Sequence, residues 1–437
     1  MLDAQPRMHR LLALSGIGGA LEFFDFVIFL FLASEISANF FPPDTPAWVA
    51  DVQTLGIFAA GYVFRPLGGI VMAHVGDRYG RKRVFLFSIL LMALSTFGIA
   101  LVPNYAQIGW LAPLSLLLLR SLQGAAIGGE APGAWTFVSE HVPARNLALA
   151  CAFMSASLIA GVLLASLVTM AAQSAFTPAA MLDYGWRVPF AVAGSLGLLG
   201  AILRHWLSET PVFLRARAER HRSEPLPLAV VLRSHRAALC ISVAATWTLS
   251  AVVIVTTLMT PFILQRQYGF EPGASLALSA FGIPFLCVGA LFAGVMSDRF
   301  GIGLYLMLAS LPFAAANLLF YSDLAPENGH TQLLLALASF FNGIVGVNAC
   351  LMVRAFPSNV RFTGISLAYN VAFAISGGLT PVAMASIFPT EPMVHVYYLL
   401  LIATGIGILG AYVTRNPGVI RYGQGRDEKP LPAKAVH

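Results

Sequence analysis

The chain has 437 residues, 58% of them hydrophobic and only 11% charged, where soluble domains carry about 25% charged residues. That balance excludes a soluble enzyme on a membrane anchor, because no long stretch has soluble composition, and it excludes an outer-membrane barrel, whose strands alternate apolar and polar residues. The net charge of +6 is what the positive-inside bias of a helical membrane protein produces, so no nucleic-acid partner is inferred from it.

The apolar content is enough for about twelve helical spans of about 20 residues each. Arg7 and Arg10 precede a first run near 11–35 that contains Glu22 and Asp25, two acids that a cleaved signal core would not tolerate. Further runs lie near 52–75, 84–102, 109–139, 147–172 and 187–207. After an arginine-rich stretch they resume near 237–264, 273–296, 304–321, 332–355, 362–387 and 395–413. The predicted fold is all-α and integral to the membrane, with two pseudo-symmetric six-helix bundles over 1–207 and 237–414, a cytoplasmic linker over 208–236 and a tail over 415–437.

With the spans in this order, every Lys and Arg except Arg65, Arg120, Arg187 and Arg266 falls on one side, which predicts cytoplasmic termini in a bacterial inner membrane. Asp77-Arg78-Tyr79-Gly80 after the second run returns as Asp298-Arg299-Phe300-Gly301 after the eighth, half a chain later and on the same side. Parallel repeats of this kind are a recurring transporter design, with substrate bound near the midplane between the halves.

An ionisable side chain at mid-bilayer costs about 3 kcal/mol or more unless it pairs or meets water, so each one is a functional candidate. The first half holds Glu22 and Asp25 in span 1, Arg65 in span 2, and Arg120 and Glu130 in span 4, whereas spans 7, 8, 9 and 11 have no Asp, Glu, Lys or Arg in their interiors. Asp25, Arg65 and Arg120 all fall near mid-span, so Asp25 and Arg120 are expected to meet, with Gln123 and Gly124 one turn further along the Arg120 face. The functional reading is that Asp25 carries a proton and competes with a carboxylate ligand for Arg120; the alternative is a buried ion pair that only fixes helix packing. The glycines of spans 2, 4 and 11 read as close helix contacts, with Gly128-Gly129 before Pro132 as a hinge. The phenylalanines of span 1 read as lipid contact or core.

Cys151, Cys240, Cys287 and Cys350 fall in separate runs with no CxxC pair and no ligand spacing to a His, so neither a disulfide nor a metal site is expected. No phosphate-cradling loop, Ser-His-Asp order or HExxH is visible. No cofactor, no nucleotide-driven transport and no enzyme activity are therefore expected.

The stretch Gly76-Asp77-Arg78-Tyr79-Gly80-Arg81-Lys82 resembles the loop signature of the major facilitator superfamily, and Arg120-Ser121-Leu122-Gln123-Gly124 resembles its span 4 motif. Leu21-Glu22-Phe23-Phe24-Asp25-Phe26, Phe64-Arg65-Pro66-Leu67-Gly68-Gly69, Gly128-Gly129-Glu130 and Arg361-Phe362-Thr363-Gly364, with Tyr369-Asn370, are similar to the metabolite:proton symporter family. Known members of that family carry dicarboxylates, citrate, shikimate, or proline and betaine. The chain departs from the pattern at Ala73, where the signature begins with Gly, and at Ala131-Pro132, where an aromatic residue and glycines are usual.

The resemblance implies that Asp25 and Arg120 hold the coupling and anion-binding positions, that Asp77 and Arg81 belong to a cytoplasmic gate, and that Tyr369 and Asn370 face the cavity. The combined expectation is a proton-coupled symporter of a small organic acid anion, or of a zwitterion with a carboxylate, working by alternating access as a monomer surrounded by lipid. Asp25, Glu22 and Glu130 serve the proton; Arg120, Arg65, Gln123, Tyr369 and Asn370 bind substrate. Asp77, Arg78, Arg81, Asp298 and Arg299 form the gate. The rival is a proton-coupled antiporter that exports an amphipathic or siderophore-like compound.

Overall fold

The computed structural model describes residues 5–79, 81–205, 227–325, 329–358 and 360–422, and these are helices and short connections with no strand among the described residues. Backbone polar groups in a bilayer must be satisfied within the segment that carries them, which is why long apolar runs become helices. In the first half α1 is Gln5–Phe31, continued by Ala33–Phe40; α2 is Ala47–Val63, continued by Arg65–Tyr79; and α3 is Arg81–Leu101. They are followed by α4, Leu111–Ile127 continued by Glu130–His141, then α5, Leu147–Ala175, and α6, Arg187–His205. In the second half α7 is Arg236–Val253, continued through Ile254–Leu258 to Thr260–Tyr268; α8 is Pro272–Phe300 and α9 is Ile302–Ser322. The last three are α10, Thr331–Asn342 continued through Gly343–Val347 to Asn348–Ala355; α11, Arg361–Ala372 continued through Phe373–Gly377 to Gly378–Ile387; and α12, Val394–Arg415.

Among the described residues nine segments are long and apolar enough to cross a membrane, bent α1 is a tenth, and α3 and α6 contribute the shorter apolar stretches Phe87–Leu101 and Arg187–Leu199. Hydropathy places these spans to within a turn or so. The start of α2 is displaced, at Ala47 instead of near 52, because Asp51 reads as a boundary in the sequence yet is buried and paired inside the helix. Gly301, at φ 92°, is the single residue between α8 and α9; it reverses the chain in a backbone conformation that glycine alone adopts at no cost. The end of the sixth span at 206–207, the part of the expected linker over 208–226 and the part of the tail over 423–437 lie outside the described residues, while Pro227–Ser234 forms a short helix leading into α7.

Breaks fall in every third helix, in addition to those already given for α2 and α11. Helix α1 bends by 55° at Leu32, α4 is interrupted at Gly128-Gly129, α7 passes through a π turn at Ile254–Leu258, and α10 tightens into a 3-10 turn at Gly343–Val347. All five residues of the last turn are buried, as expected where irregular backbone at membrane depth must be enclosed by protein.

The two bundles repeat one crossing. In the first, a Cβ on Gly124 of α4 would overlap the Gly61 carbonyl of α2, and one on Gly68 would overlap the Ala125 backbone. In the second, a Cβ on Gly289 of α8 would overlap the Phe340 carbonyl of α10, and one on Gly343 would overlap Gly289. Backbones in contact at small residues are the membrane substitute for hydrophobic packing between helices. Between the bundles α5 runs along α8 and α2 along α11; a Cβ on Gly294 of α8 would stand 2.8 Å from the Leu149 Cα of α5. The packing reading of Gly61, Gly68, Gly124 and Gly128 therefore holds, and Gly129, with open space at its Cβ position, belongs to the break.

Gly124→Ala is expected to lower thermal stability in detergent by about 1–3 kcal/mol, the usual cost of overpacking. Gly405→Ala, on α12 with nothing within 4 Å of the added carbon, is expected to leave the melting temperature unchanged.

Candidate functional site

The crossing of α2 with α4 brings α4 close against α1 and α3, and a chain of polar groups is enclosed there. Asp25 of α1 is 2% exposed, and Thr96, Arg120 and Gln123 are 0% exposed. The Thr96 hydroxyl of α3 donates to Asp25 Oδ1. Gln123 Nε2 of α4 donates to Thr96 Oγ1 and, at 3.4 Å, to Asp25 Oδ1. Gln123 Oε1 accepts from Arg120 Nη1 at 2.7 Å, and the same Nη1 donates to the Phe26 carbonyl at 3.1 Å. The amide orientation is fixed by chemistry, because the face toward a guanidinium must be the oxygen. The expected meeting of Asp25 and Arg120 is thus indirect: no direct ion pair joins them among the described residues, and Gln123 and Thr96 stand between.

Arg120 Nε and Nη2 are buried and have no acceptor within the described protein. The guanidinium is instead flanked by aromatic faces, 4.3 Å from the ring centroid of Phe26, 4.8 Å from Phe29 and 5.0 Å from Phe58. Cation–π contacts of this kind stabilise by about 0.5–2 kcal/mol each, and an unpaired charged donor costs more than a neutral one. The site therefore holds a partly compensated cation with donors to spare. Phe26 and Phe29, read from the sequence as lipid contact or core, are core residues that also line this site.

Arg65 of α2 repeats the arrangement. It is 1% exposed, its Nε and Nη2 are likewise without an acceptor, and it lies 5.6 Å from the Tyr62 centroid, 5.0 Å from Tyr369 and 5.0 Å from Phe373. Tyr369 and Phe373 come from α11, so this second cluster joins the two bundles; Trp135 of α4 closes it by an edge contact at 5.1 Å to Tyr369. Glu22 is buried on α1 within electrostatic reach of Tyr369. Asn370 also crosses between bundles, donating from Nδ2 to the Gly128 carbonyl at the break in α4.

Contacts between the bundles occur at both ends. At the arginine-rich end Asp298 accepts from the Ala148 and Leu149 amides, at 3.0 and 2.9 Å, capping the N-terminus of α5, where a helix dipole favours an anion. Arg354 lies 3.9 Å from Asp298 and donates to the Ala144 carbonyl at 3.2 Å. At the other end Asp51 of α2 pairs with Arg266 of α7 at 2.7 Å, beside a 3.5 Å contact from Ser34 to Gln265. Arg299 is exposed, with its guanidinium 5.2 Å from the Phe300 ring centroid. The side chains of Asp77, Arg78, Arg81 and Glu130 lie outside the described residues.

Sequence reading missed Thr96, Asp51 and Arg266. A threonine in an apolar span carries no signal, because its hydroxyl is ordinarily satisfied by the carbonyl four residues back. Asp51 and Arg266 read as loop-side charges, and the available clue was their opposite sign at the same membrane face. The second half, without interior charge on α7 and α8, places hydroxyls and an amide in a small cleft lined by Thr256, Thr257, Thr260, Ser279 and Asn342.

Twelve helices in two halves, with buried charges inside the first half and Arg65 at the seam, are the arrangement expected of a secondary transporter. The sequence profile of the Major Facilitator Superfamily matches residues 15–381, and the chain belongs to that superfamily. It is 30% identical over 424 residues to the glycine betaine/proline/ectoine/pipecolic acid transporter OusA of Dickeya dadantii, covering 92% of this chain and 82% of that one. To the proline/betaine transporter of Escherichia coli it is 30% identical over 421 residues, with the same two coverages. These likenesses place it in the metabolite:proton symporter family, as a multi-pass membrane transporter and not an enzyme. The fold is also that of the proton:xylose symporter XylE with a bound bromodeoxyglucose, at TM-score 0.73 and 17% identity over 93% of this chain and 95% of that one. A partially occluded inward-open form of XylE from E. coli gives TM-score 0.72 at 15% identity, over 93% and 97%.

Asp51 and Arg266 make a testable closure at the end away from the arginine-rich face. With Arg266 42% exposed, the pair is worth on the order of 1 kcal/mol or less. Asp51→Asn is expected to raise maleimide labelling of a neighbouring Ser34→Cys by about two- to fivefold, and the exchanged pair Asp51→Arg with Arg266→Asp to return it toward the starting rate.

Proposed function

We propose that the protein imports a carboxylate-bearing zwitterion of the proline or betaine kind together with a proton, by alternating access between its two halves. The observation that carries this reading is the Arg120 guanidinium, buried with Nε and Nη2 lacking an acceptor and linked through Gln123 to Asp25. Such an edge fits a carboxylate in a bidentate pair. Asp25, with Glu22, takes the proton, and Arg65 assists Arg120. Tyr369 and Asn370 contribute from the second half, Glu130 belongs to the proton pathway, and Gln123 sits beside the carboxylate. The loop signature, Asp77, Arg78 and Arg81 with Asp298 and Arg299, forms the cytoplasmic gate, both termini being cytoplasmic and the membrane the bacterial inner one. A linker over 208–236 separates bundles over 1–207 and 237–414.

Charge balance favours a zwitterion over a di- or tricarboxylate. Two interior arginines stand against three interior acids, Glu22 and Asp25 on α1 and Glu130 on α4, and α7 and α8 offer no further cation in their interiors. An anion with several negative charges would be left partly uncompensated in a medium where that is costly, whereas a zwitterion adds no net charge. The aromatic faces around both guanidiniums also offer a surface for a substrate's ammonium group. The two relatives named above transport proline and betaine, which agrees with this balance.

The test is uptake into proteoliposomes of labelled proline, glycine betaine and a panel of carboxylates under an inside-alkaline pH gradient. Accumulation of proline or glycine betaine that an uncoupler abolishes is expected. Accumulation of the carboxylates alone would overturn the zwitterion reading, and entry of an amphipathic dye into inside-out vesicles against a proton flux would replace import with export. Asp25→Asn is expected to keep exchange of labelled for unlabelled substrate while losing gradient-driven accumulation. Arg120→Ala is expected to lower uptake by about a hundredfold or more, since it removes a buried charged anchor worth about 2–5 kcal/mol.

A further inference from the structure

The groups around Asp25 contain one hydrogen that has two places to go. The Thr96 hydroxyl stands within hydrogen-bond distance of Asp25 Oδ1 and also of the Met92 carbonyl, the latter at 3.0 Å, and a hydroxyl has a single proton to give. The oxygen of that hydroxyl accepts from Gln123 Nε2, which stands farther from Asp25 Oδ1, at 3.4 Å, and the oxygen end of the same amide holds Arg120 Nη1. Among the described residues no other charged side chain is interposed, and the side chain of Glu130, on the part of α4 that packs on α1, lies outside them. Arg120 is the cation that acts on Asp25, and Glu22 stands one turn earlier on α1. The membrane stretches of α3 and α5 that pack on α1 carry no Asp, Glu, Lys or Arg. Helix α6 presents Gly197, whose added Cβ would lie 3.7 Å from Asp25 Oδ2; its Arg187 is at the far end, donating to the Ala100 and Val102 carbonyls.

We propose that Thr96, acting with Gln123, is a positioning residue that transmits the protonation state of Asp25 to Arg120. The inference rests on the reading of Asp25 as proton carrier and Arg120 as carboxylate anchor. With Asp25 ionised, Thr96 donates to it, and a run of aligned hydrogen bonds passes through the Gln123 amide to the guanidinium, each bond polarising the next. The negative end of this run holds Nη1 on Gln123. When Asp25 takes a proton, its carboxyl becomes a donor, and the acceptor beside it is the Thr96 oxygen. The Thr96 hydrogen then turns to the Met92 carbonyl, so the first bond of the run reverses. The Thr96 oxygen is now shared between two donors, the charge that polarised Gln123 is gone, and the hold of Gln123 on Nη1 weakens, which leaves more of the guanidinium's charge for a substrate carboxylate on its Nε and Nη2 edge. Proton and substrate are thus linked through a hydroxyl and an amide, without Asp25 touching Arg120.

The test is the pH dependence of the apparent KM for glycine betaine and proline, measured by counterflow in proteoliposomes at equal pH on both sides. In the wild type KM is expected to rise by about tenfold from acid to alkaline pH, within the usual range of coupling between two sites. Thr96→Val, which keeps the shape and removes the hydroxyl, is expected to reduce that change to less than about twofold while Thr96→Ser retains it. Gln123→Leu is expected to flatten the profile in the same way, and it tests the relay should Thr96→Val fail to fold. A full wild-type pH dependence in Thr96→Val or Gln123→Leu would overturn the relay and leave the symport reading standing. Flattening in both Thr96→Val and Thr96→Ser would also overturn it, because the hydroxyl would then not be the cause. A wild-type KM that does not change with pH would instead remove the coupling reading itself, and the relay with it.

Discussion

A guanidinium enclosed at membrane depth is a charge that must be compensated, and the rest of the first bundle is arranged around that requirement. Arg120 is satisfied in pieces: one nitrogen by a backbone carbonyl and an amide oxygen, the plane by three phenylalanine faces, and two nitrogens by nothing in the described protein. Full compensation by a direct carboxylate would make a stable but inert ion pair. Incomplete compensation leaves binding capacity in the site, at a cost that surrounding packing must carry.

That packing comes from glycine. The α2–α4 crossing brings backbones together at Gly61, Gly68 and Gly124, and on α2 the same face that carries Gly61 carries Arg65 one turn on. A Cβ on Gly61 would stand 3.1 Å from the Phe26 ring and 3.4 Å from Arg120 Nη2, so the crossing and the aromatic enclosure of the cation are one feature. The second bundle uses the same glycine crossing between α8 and α10 without interior charge beside it. This asymmetry keeps the interior charge in one half while the other supplies rings and an amide, Tyr369, Phe373 and Asn370, that reach across.

The contacts between bundles at the two ends differ in kind. At the arginine-rich end Asp298 spends both carboxylate oxygens on amides at a helix N-terminus, so the repeated Asp-Arg motif works there as a helix cap across the interface. At the opposite end closure rests on a half-exposed ion pair, which is weaker and more easily exchanged for water.

The helix count, the class of protein and the identity of the interior charges were legible in the sequence, because hydropathy and charge are local properties and a bilayer penalises every exception. The repeated loop motif likewise revealed two halves. Asp25, Arg120 and Arg65 stand out because they are anomalous in apolar runs, and Gln123 because it lies one turn along the Arg120 face. Thr96 does not, since nothing local separates a hydroxyl that bonds its own helix from one that also bonds a carboxylate two helices away. Nor did the sequence show that Gln123 stands between Asp25 and Arg120, that Phe26 and Phe29 enclose a cation, or that Asp51 meets Arg266. Those pairings depend on how each helix is rotated and how deeply it approaches its neighbour. Backbone contact at a few glycines sets that geometry, and it exists only once the helices have packed.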